Sequence, residues 1–264
     1  MDLQLEGKSA LVTGSTAGIG RAIALALARE GVRVVINGRS SDRVAATCAA
    51  IRQAVPGAAV EGIAADLGNA SGAQTVLKAW PEVDILVNNL GIFEPKAFAD
   101  ISDADWQRMF ETNVMSGVRL SRHYLPRMLA RNWGRVIFVS SESGVNTPAE
   151  MVHYGMSKSA QLAVSRGMAE TTTGTAVTVN TVLPGPTMTE GVGDFFTKLA
   201  SEQGVPVNET ERRFFTEARP SSLLRRFIDP AEVASLVAYL CSPLAAATNG
   251  AALRADGGVI RSII

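Results

Sequence analysis

The sequence is short of the residues that announce several common chemistries. It holds two cysteines, Cys48 and Cys241, far apart and in no CxxC or Cys/His cluster, and two histidines, so it offers neither a disulfide framework nor a zinc-ligand set. Both cysteines read as buried free thiols of a reducing compartment. Charge of one sign is not in excess: 25 basic residues cancel 25 acidic ones, which removes the electrostatic reason to expect nucleic acid or an anionic membrane as partner. A small molecule remains. No apolar run approaches the roughly 20 residues of a membrane span. The first residues, MDLQLEGKSALVTG, carry acid where a secretory leader would be basic, which points to the cytoplasm. There is no G-x-S-x-G elbow, and no histidine or acid is spaced to activate a serine, so a hydrolase reading is poor. Repeats, low-complexity tracts and Pro/Ser-rich linkers are also missing, and residues 1–264 are expected to form a single domain.

What is present is an alternation of short apolar runs with longer amphipathic stretches. The runs 9–12, 32–36, 59–64, 85–87, 136–139, 177–183 and 251–253 read as parallel strands, apolar on both faces. Between them 19–29, 41–54, 71–79, 103–131, 150–172 and 230–241 read as helices. The pattern implies an α/β fold, a Rossmann-like doubly wound parallel sheet with helices on both faces.

The first strand-to-helix turn is Thr13-Gly14-Ser15-Thr16-Ala17-Gly18-Ile19-Gly20. Glycines at such a turn let the backbone approach a pyrophosphate held at the helix N-terminus, where free N–H groups and the positive dipole end lie. Its spacing, G-x-x-x-G-x-G, is not the commoner G-x-G-x-x-G, and a tight turn without a ligand is the alternative. An adenosine ribose should be read at the tip of the second strand. A carboxylate there would accept from the ribose hydroxyls and repel a 2′-phosphate. The sequence has Gly38 followed by Arg39, which favours NADP(H) over NAD(H), because a guanidinium fork matches phosphate. The alternative is a solvent-exposed arginine in a turn. Asp66, after the third strand, could accept from an adenine amino group or cap the next helix.

The fourth strand runs into Asn88-Asn89-Leu90-Gly91 at the carboxyl edge, where ligands of such sheets lie. Asn113 stands in a strongly helical stretch that disfavours asparagine, so it serves either a buried carbonyl or a function. The fifth strand delivers Ser140-Ser141-Glu142-Ser143 to the same edge, where one serine could donate to a substrate oxygen. Tyr154 and Lys158 follow, four residues apart on one helical face. A nearby ammonium favours the phenolate and makes a tyrosine a proton donor, although many such pairs merely share a solvated face. His123 and His153 read as surface or packing residues, with His153 close enough to line the site's mouth.

Taken together, these residues resemble the short-chain dehydrogenase/reductase family, in the short form typified by 3-oxoacyl carrier-protein reductases. The resemblance covers nearly the whole chain. Thr13-Gly14 through Gly20 is similar to the family's TGxxxGIG turn, Asn88-Asn89-Leu90-Gly91 to NNAG, Tyr154 through Lys158 to YxxxK, and Asp256-Gly257-Gly258 to a C-terminal DGG. Ser141 rather than Ser140 lies at the family's usual thirteen residues before the tyrosine, and Asn113 and Pro184-Gly185 also match. The resemblance implies a nicotinamide cofactor held by Gly14, Ser15, Thr16, Gly18, Ile19, Gly20, Arg39, Asp66, Leu67, Asn89, Gly91, Tyr154, Lys158, Pro184, Gly185, Thr187 and Thr189. It implies hydride transfer to or from a small carbonyl or alcohol. Tyr154 would be the acid/base, Lys158 would lower its pKa and hold the ribose, Ser141 would hold the carbonyl, and Asn113 would support a water-linked proton relay.

Two positions depart from the pattern. Leu90 replaces the usual alanine, and its bulk must be absorbed by repacking or by a shifted cofactor contact. Ala17 stands where many NADP-using members carry a basic residue, which leaves Arg39 without a partner from that turn. Residues 186–227, with Phe195, Phe196, Phe214 and Phe215, resemble the variable substrate lid, although aromatic pairs at this spacing often pack helix on helix. Arg212, Arg213, Arg225 and Arg226 could meet an acidic substrate or form a solvated face. A second class of function, a nucleotide-binding regulator of the same fold without turnover, is opposed by the intact Ser141, Tyr154 and Lys158. Members of this size are usually tetramers, and Ile260, Ile263 and Ile264 offer apolar surface for such contacts. Light scattering is accordingly expected to give an assembly of about four chains, and a monomer across micromolar concentrations would reject it.

Overall fold

A computed structural model describes residues 1–263, so Ile264 of the expected apolar tail lies outside the described residues. Seven strands, β1 (Ser9–Val12), β2 (Arg33–Gly38), β3 (Val60–Ala64), β4 (Ile85–Asn88), β5 (Gly134–Val139), β6 (Val177–Pro184) and β7 (Ala252–Ala255), form one sheet in the order β3-β2-β1-β4-β5-β6-β7. Every pairing is parallel. Each expected strand is present within two residues. The helices are α1 (Gly18–Arg29), α2 (Ser41–Ala54), α3 (Ala70–Ala79), α4 (Asp103–Phe110), α5 (Ser116–Ala130), α6 (Val152–Glu170), α7 (Glu190–Gln203), α8 (Val207–Arg213) and α9 (Pro230–Cys241). Among the described residues no helix is long and apolar enough to cross a membrane.

The strand sequences sort their side chains by alternation. Ala10, Val12, Val34, Ile36, Ile85, Val87, Ile137 and Val139 enter one apolar cluster with Ile23 and Leu27 of α1 and Val233 and Val237 of α9. The residues between them, Leu11, Val35, Leu86, Val136 and Phe138, enter the opposite cluster with Val76 of α3 and Leu120, Tyr124 and Met128 of α5. Burial on both faces therefore holds for β1, β4, β5 and β6 but not for β3 and β7, whose alternate positions are exposed because they are the sheet's edges. Both cysteines are buried and free.

Helix starts follow local chemistry. Ser40, Asn69, Ser102, Thr189 and Asp229 cap α2, α3, α4, α7 and α9, with reciprocal capping boxes at Ser102/Asp105 and Asp229/Glu232. Asn69 thus takes the capping role open to Asp66. The helix expected over 103–131 departs from regularity: between α4 and α5, Glu111–Met115 forms one π-helical turn.

The segment leading into β7 is fastened to β6 by an amide. Asn180 on β6 is fully buried, its Nδ2 donating to Thr248 O at 2.7 Å and its Oδ1 accepting from Ala251 N at 3.0 Å, just before β7. Replacing it with alanine leaves both backbone groups without that partner. Asn180→Ala is expected to lower unfolding stability by about 1–3 kcal/mol, read as a shift of the urea midpoint at constant slope.

Candidate active site

The carboxyl edge of the sheet is where the conspicuous residues gather, and the turn after β1 sets its geometry. Gly14 and Gly18 have φ of 60° and 52°, a left-handed conformation that favours glycine. At Gly20 a β-carbon would lie 2.5 Å from Asn89 Nδ2 and 2.6 Å from Gly14 O, so nothing larger fits. Asn89 Nδ2 donates to Thr13 O at 2.8 Å, while the amides of Asn89 and Leu90 both donate to Thr13 Oγ1 at 2.9 Å. These bonds sew the loop after β4 to the turn after β1. Ala17 occupies the cap position of α1, and no side chain bonds the first amides of that helix. This end can accept an anion.

Some expected cofactor contacts can come only from backbone. Ser15 is fully buried, its hydroxyl donating to Val12 O at 2.7 Å and accepting from Asn37 N at 2.9 Å, so its side chain braces β1 against β2 instead of facing a ligand. Leu67 belongs to the apolar core. Thr187 is buried, with its hydroxyl on Gly185 O at 2.9 Å. Thr16 packs over Gly38, where a β-carbon would lie 2.6 Å from its methyl group, so a larger residue at 38 would have to displace Thr16. Arg39 is exposed and makes no bond to another described residue. Arg43 lies in the first turn of α2 and pairs with Glu190 at 3.6 Å, which also meets Arg21 of α1 at 3.3 Å. Asp66 is exposed at the end of β3, its Oδ1 accepting from Gly68 N at 3.0 Å. Leu90 is accommodated by repacking against the core beside Gly14.

Ser141, Tyr154 and Lys158 come together at the junction of two cavities. The smaller, about 220 Å³, is lined by Gly14, Ala17, Gly20, Asn89, Gly91 and Lys158. The larger, about 790 Å³, is lined by Ser141, Glu142, Pro184, Gly185, Thr187 and, from 186–227, Phe195, Phe196, Phe214 and Phe227. Tyr154, Ile19, Phe93 and Thr189 line both. Ser141 Oγ accepts from Ser143 N at 3.1 Å, and Ser141 and Tyr154 stand together in the wall of the larger cavity. Lys158 Nζ lies 5.6 Å from the Tyr154 ring centre, beside Gly91, where a β-carbon would stand 3.3 Å from it.

The electrostatics differ from expectation. Tyr154 is pushed up to about 12, chiefly by burial, against the lowering effect of Ser141; the Glu142 charge adds to the rise and that of Arg219 opposes it. Lys158 is not among the groups that shift the phenol, and it is itself buried and pushed down to about 7 by desolvation. Its ammonium donates to two uncharged oxygens, Val139 O at 3.0 Å and Gln161 Oε1 at 3.2 Å. Gln161 Nε2 in turn donates to Asn113 O at 2.6 Å. The link from Asn113 to Lys158 therefore runs through a side-chain amide. Asn113 sits in the π turn, its side chain holding Ile92 N and O at 2.8 and 2.9 Å and donating to Ser157 Oγ at 2.9 Å. Gln161 was legible as the residue one helical turn past Lys158, but nothing singled it out.

Other candidates fall away. His153 is fully buried edge-on to Trp106 at 5.9 Å and does not line the mouth; His123 contacts Pro81 O at 2.9 Å outside the site. Arg212 and Arg213 pair with Glu209, Arg226 with Glu232, and Arg225 donates to Phe215 O; of the four only Arg213 also lines the larger cavity. Phe196, Phe214, Phe215 and Phe227 pack on one another at 5.0–5.5 Å, and three of them also line the larger cavity. Arg219 and Glu142, which carried no sequence signal, form a buried ion pair at 2.9 Å in its wall.

This geometry agrees with comparisons to known proteins. A family model described as short chain dehydrogenase matches residues 8–200. An uncharacterized oxidoreductase of Bacillus subtilis, YvaG, is 52% identical over 263 residues, covering 100% of both chains. The D-beta-hydroxybutyrate dehydrogenase of Cupriavidus necator is 35% identical, over 96% of this chain and 98% of its own. A solved structure of L-sorbose reductase from Gluconobacter frateurii, complexed with NADPH and L-sorbose, superposes with a TM-score of 0.93 at 30% identity, covering 100% of each chain. With sheet order, glycine turn and Ser-Tyr-Lys cluster in place, this chain belongs to the short-chain dehydrogenase family of oxidoreductases.

Proposed function

We propose that the protein is an NADP(H)-preferring oxidoreductase that moves a hydride between the nicotinamide and the carbon of a small carbonyl or secondary alcohol. The observation that carries this reading is that Tyr154 lines both cavities, with Ser141 in the wall of the larger and Lys158 buried in the wall of the smaller. The residues present fit a dinucleotide: the uncapped start of α1 suits its pyrophosphate, and Gly14, Gly18 and Gly20 leave room for it. Bound there, the cofactor supplies or accepts the hydride. Ser141 donates to the substrate oxygen and fixes its position. Tyr154 gives that oxygen its proton in reduction and takes it back in oxidation. Lys158, pushed down to about 7 by burial, would hold the nicotinamide ribose and, as its ammonium, would favour the phenolate. Asn113 and Gln161 hold the lysine in place and connect it to the helix behind. Residues 186–227, containing α7 and α8, serve as the substrate lid, supported by the aromatic residues they set into the larger cavity. The preference for NADP(H) rests on Arg39 next to Gly38, on the absence of a carboxylate at that strand tip, and on the NADPH of the L-sorbose reductase complex.

Tyr154→Phe is expected to lower kcat for NADPH-dependent ketone reduction by about 10²–10⁴-fold while NADPH still quenches protein fluorescence. Retained turnover would remove Tyr154 from the acid role. In the wild type, alcohol oxidation should climb with pH through the alkaline range, since the base is a phenolate whose pKa burial raises. Fluorescence titration is expected to give tighter binding of NADPH than NADH. Arg39→Ala should reduce that ratio by about tenfold, the loss of a charge-assisted bond; equal affinities in the wild type would reverse the cofactor assignment.

A further inference from the structure

Glu142 has no task in the chemistry above, yet it directly follows Ser141, lines the larger cavity and is only 3% exposed. One carboxylate oxygen, Oε1, accepts from Arg219 Nε at 2.9 Å and from Ser143 Oγ at 3.2 Å. The other, Oε2, is buried with no hydrogen-bond partner among the described residues. Such a group costs stability unless something donates to it. Arg219 cannot turn to serve it, because its Nη1 is held by Glu150 at 3.3 Å and Ala218 O at 2.8 Å. Glu142 follows Ser141 directly in sequence and lines the same cavity wall as Ser141 and Tyr154.

We propose that Glu142 Oε2 accepts a hydrogen bond from a hydroxyl on the carbon beside the reacting carbonyl. The substrates are then uncharged α-hydroxy ketones, and vicinal diols in the reverse direction, with an apolar remainder. This deepens the oxidoreductase reading and rests on it. Ser141 and Tyr154 both address the carbonyl oxygen, and the next residue addresses its neighbour. A carboxylate only accepts, so the substrate group must donate. Arg219 already balances the charge of Glu142, so a cationic donor is not required, while Glu142, Glu150 and Glu217 outnumber Arg213 and Arg219 along the cavity and disfavour a substrate carboxylate. The rest of the wall, with Phe195, Phe196, Leu199, Phe214 and Phe227, suits an aliphatic or aromatic body.

The test uses three ketones with NADPH: 1-hydroxy-4-phenyl-2-butanone, its 1-methoxy analogue, which keeps the inductive effect without a donor, and 4-phenyl-2-butanone. Wild-type kcat/KM is expected to favour the hydroxy ketone over both others by at least about tenfold, the value of one buried hydrogen bond to a charged group. Glu142→Gln keeps an acceptor for Arg219 and presents an amide N–H₂ to the substrate, which hydroxyl and methoxyl oxygens accept equally, so the hydroxy-to-methoxy ratio should fall to within about twofold of one. Retained NADPH fluorescence quenching shows that the variant is folded; if it does not fold, the wild-type ratio decides alone. A wild-type hydroxy-to-methoxy ratio near one, or an unchanged ratio in Glu142→Gln, overturns the assignment of Glu142. Failure of the wild type to turn over any of the three, or any ketone of a wider panel, overturns the oxidoreductase reading beneath it.

Discussion

The Asn89 amide stands where residue 20 can have no side chain, and most of the site depends on that closeness. By holding Thr13 and Gly14, it draws the loop after β4 against the turn after β1. The opening of α1 then faces the same cleft as Gly91 and Lys158. The sheet order explains why the two loops are neighbours: β1 and β4 are adjacent, and connections leave them toward opposite ends of the sheet. A ligand site at that place follows from topology, and the glycines decide how near the backbone can come.

Behind the cleft runs a buried polar thread in which Lys158 is the one ionisable member. Lys158, Gln161, Asn113 and Ser157 bond one another through amide, hydroxyl and carbonyl groups, and no carboxylate joins them in these bonds. Satisfied networks of this kind are stiff, and they fix orientation at the cost of desolvating an amine. The lysine is thereby left responsive to whatever negative charge arrives in the adjoining cavity. Opposite it, Glu142 and Arg219 do carry charge, so the two sides of Tyr154 present different electrostatic surroundings.

The alternation of apolar runs made the sheet and its helices readable, and the TGxxxGIG, NNLG and YxxxK stretches named the places where chemistry gathers. Side-chain direction was less readable. Ser15 lies within a glycine-rich turn, yet its hydroxyl is consumed by β1 and β2, because the tight turn points it inward. Glu142 and Arg219 are 77 residues apart, and only the fold of the segment after β6 brings them together. His153, next to the tyrosine in sequence, turns into the packing with Trp106 because successive helix positions face about 100° apart. Local composition reports the backbone's course; which atom faces the cavity is settled by packing.

The π turn at Glu111–Met115 adds a consequence for how this chain tolerates change. It widens the helix by one residue, so Asn113 can turn its side chain to Ile92 while leaving its carbonyl to Gln161. Deleting a single residue there would close the bulge into a regular helix and leave the residues beyond it in register. Leu120, Tyr124 and Met128 would keep their places in the core, while Asn113 would lose the turn that lets its side chain serve Ile92 and its carbonyl serve Gln161. The consequence of such a deletion is therefore felt at the polar thread behind Lys158 rather than in the core, though no residue of the turn touches the reacting oxygen.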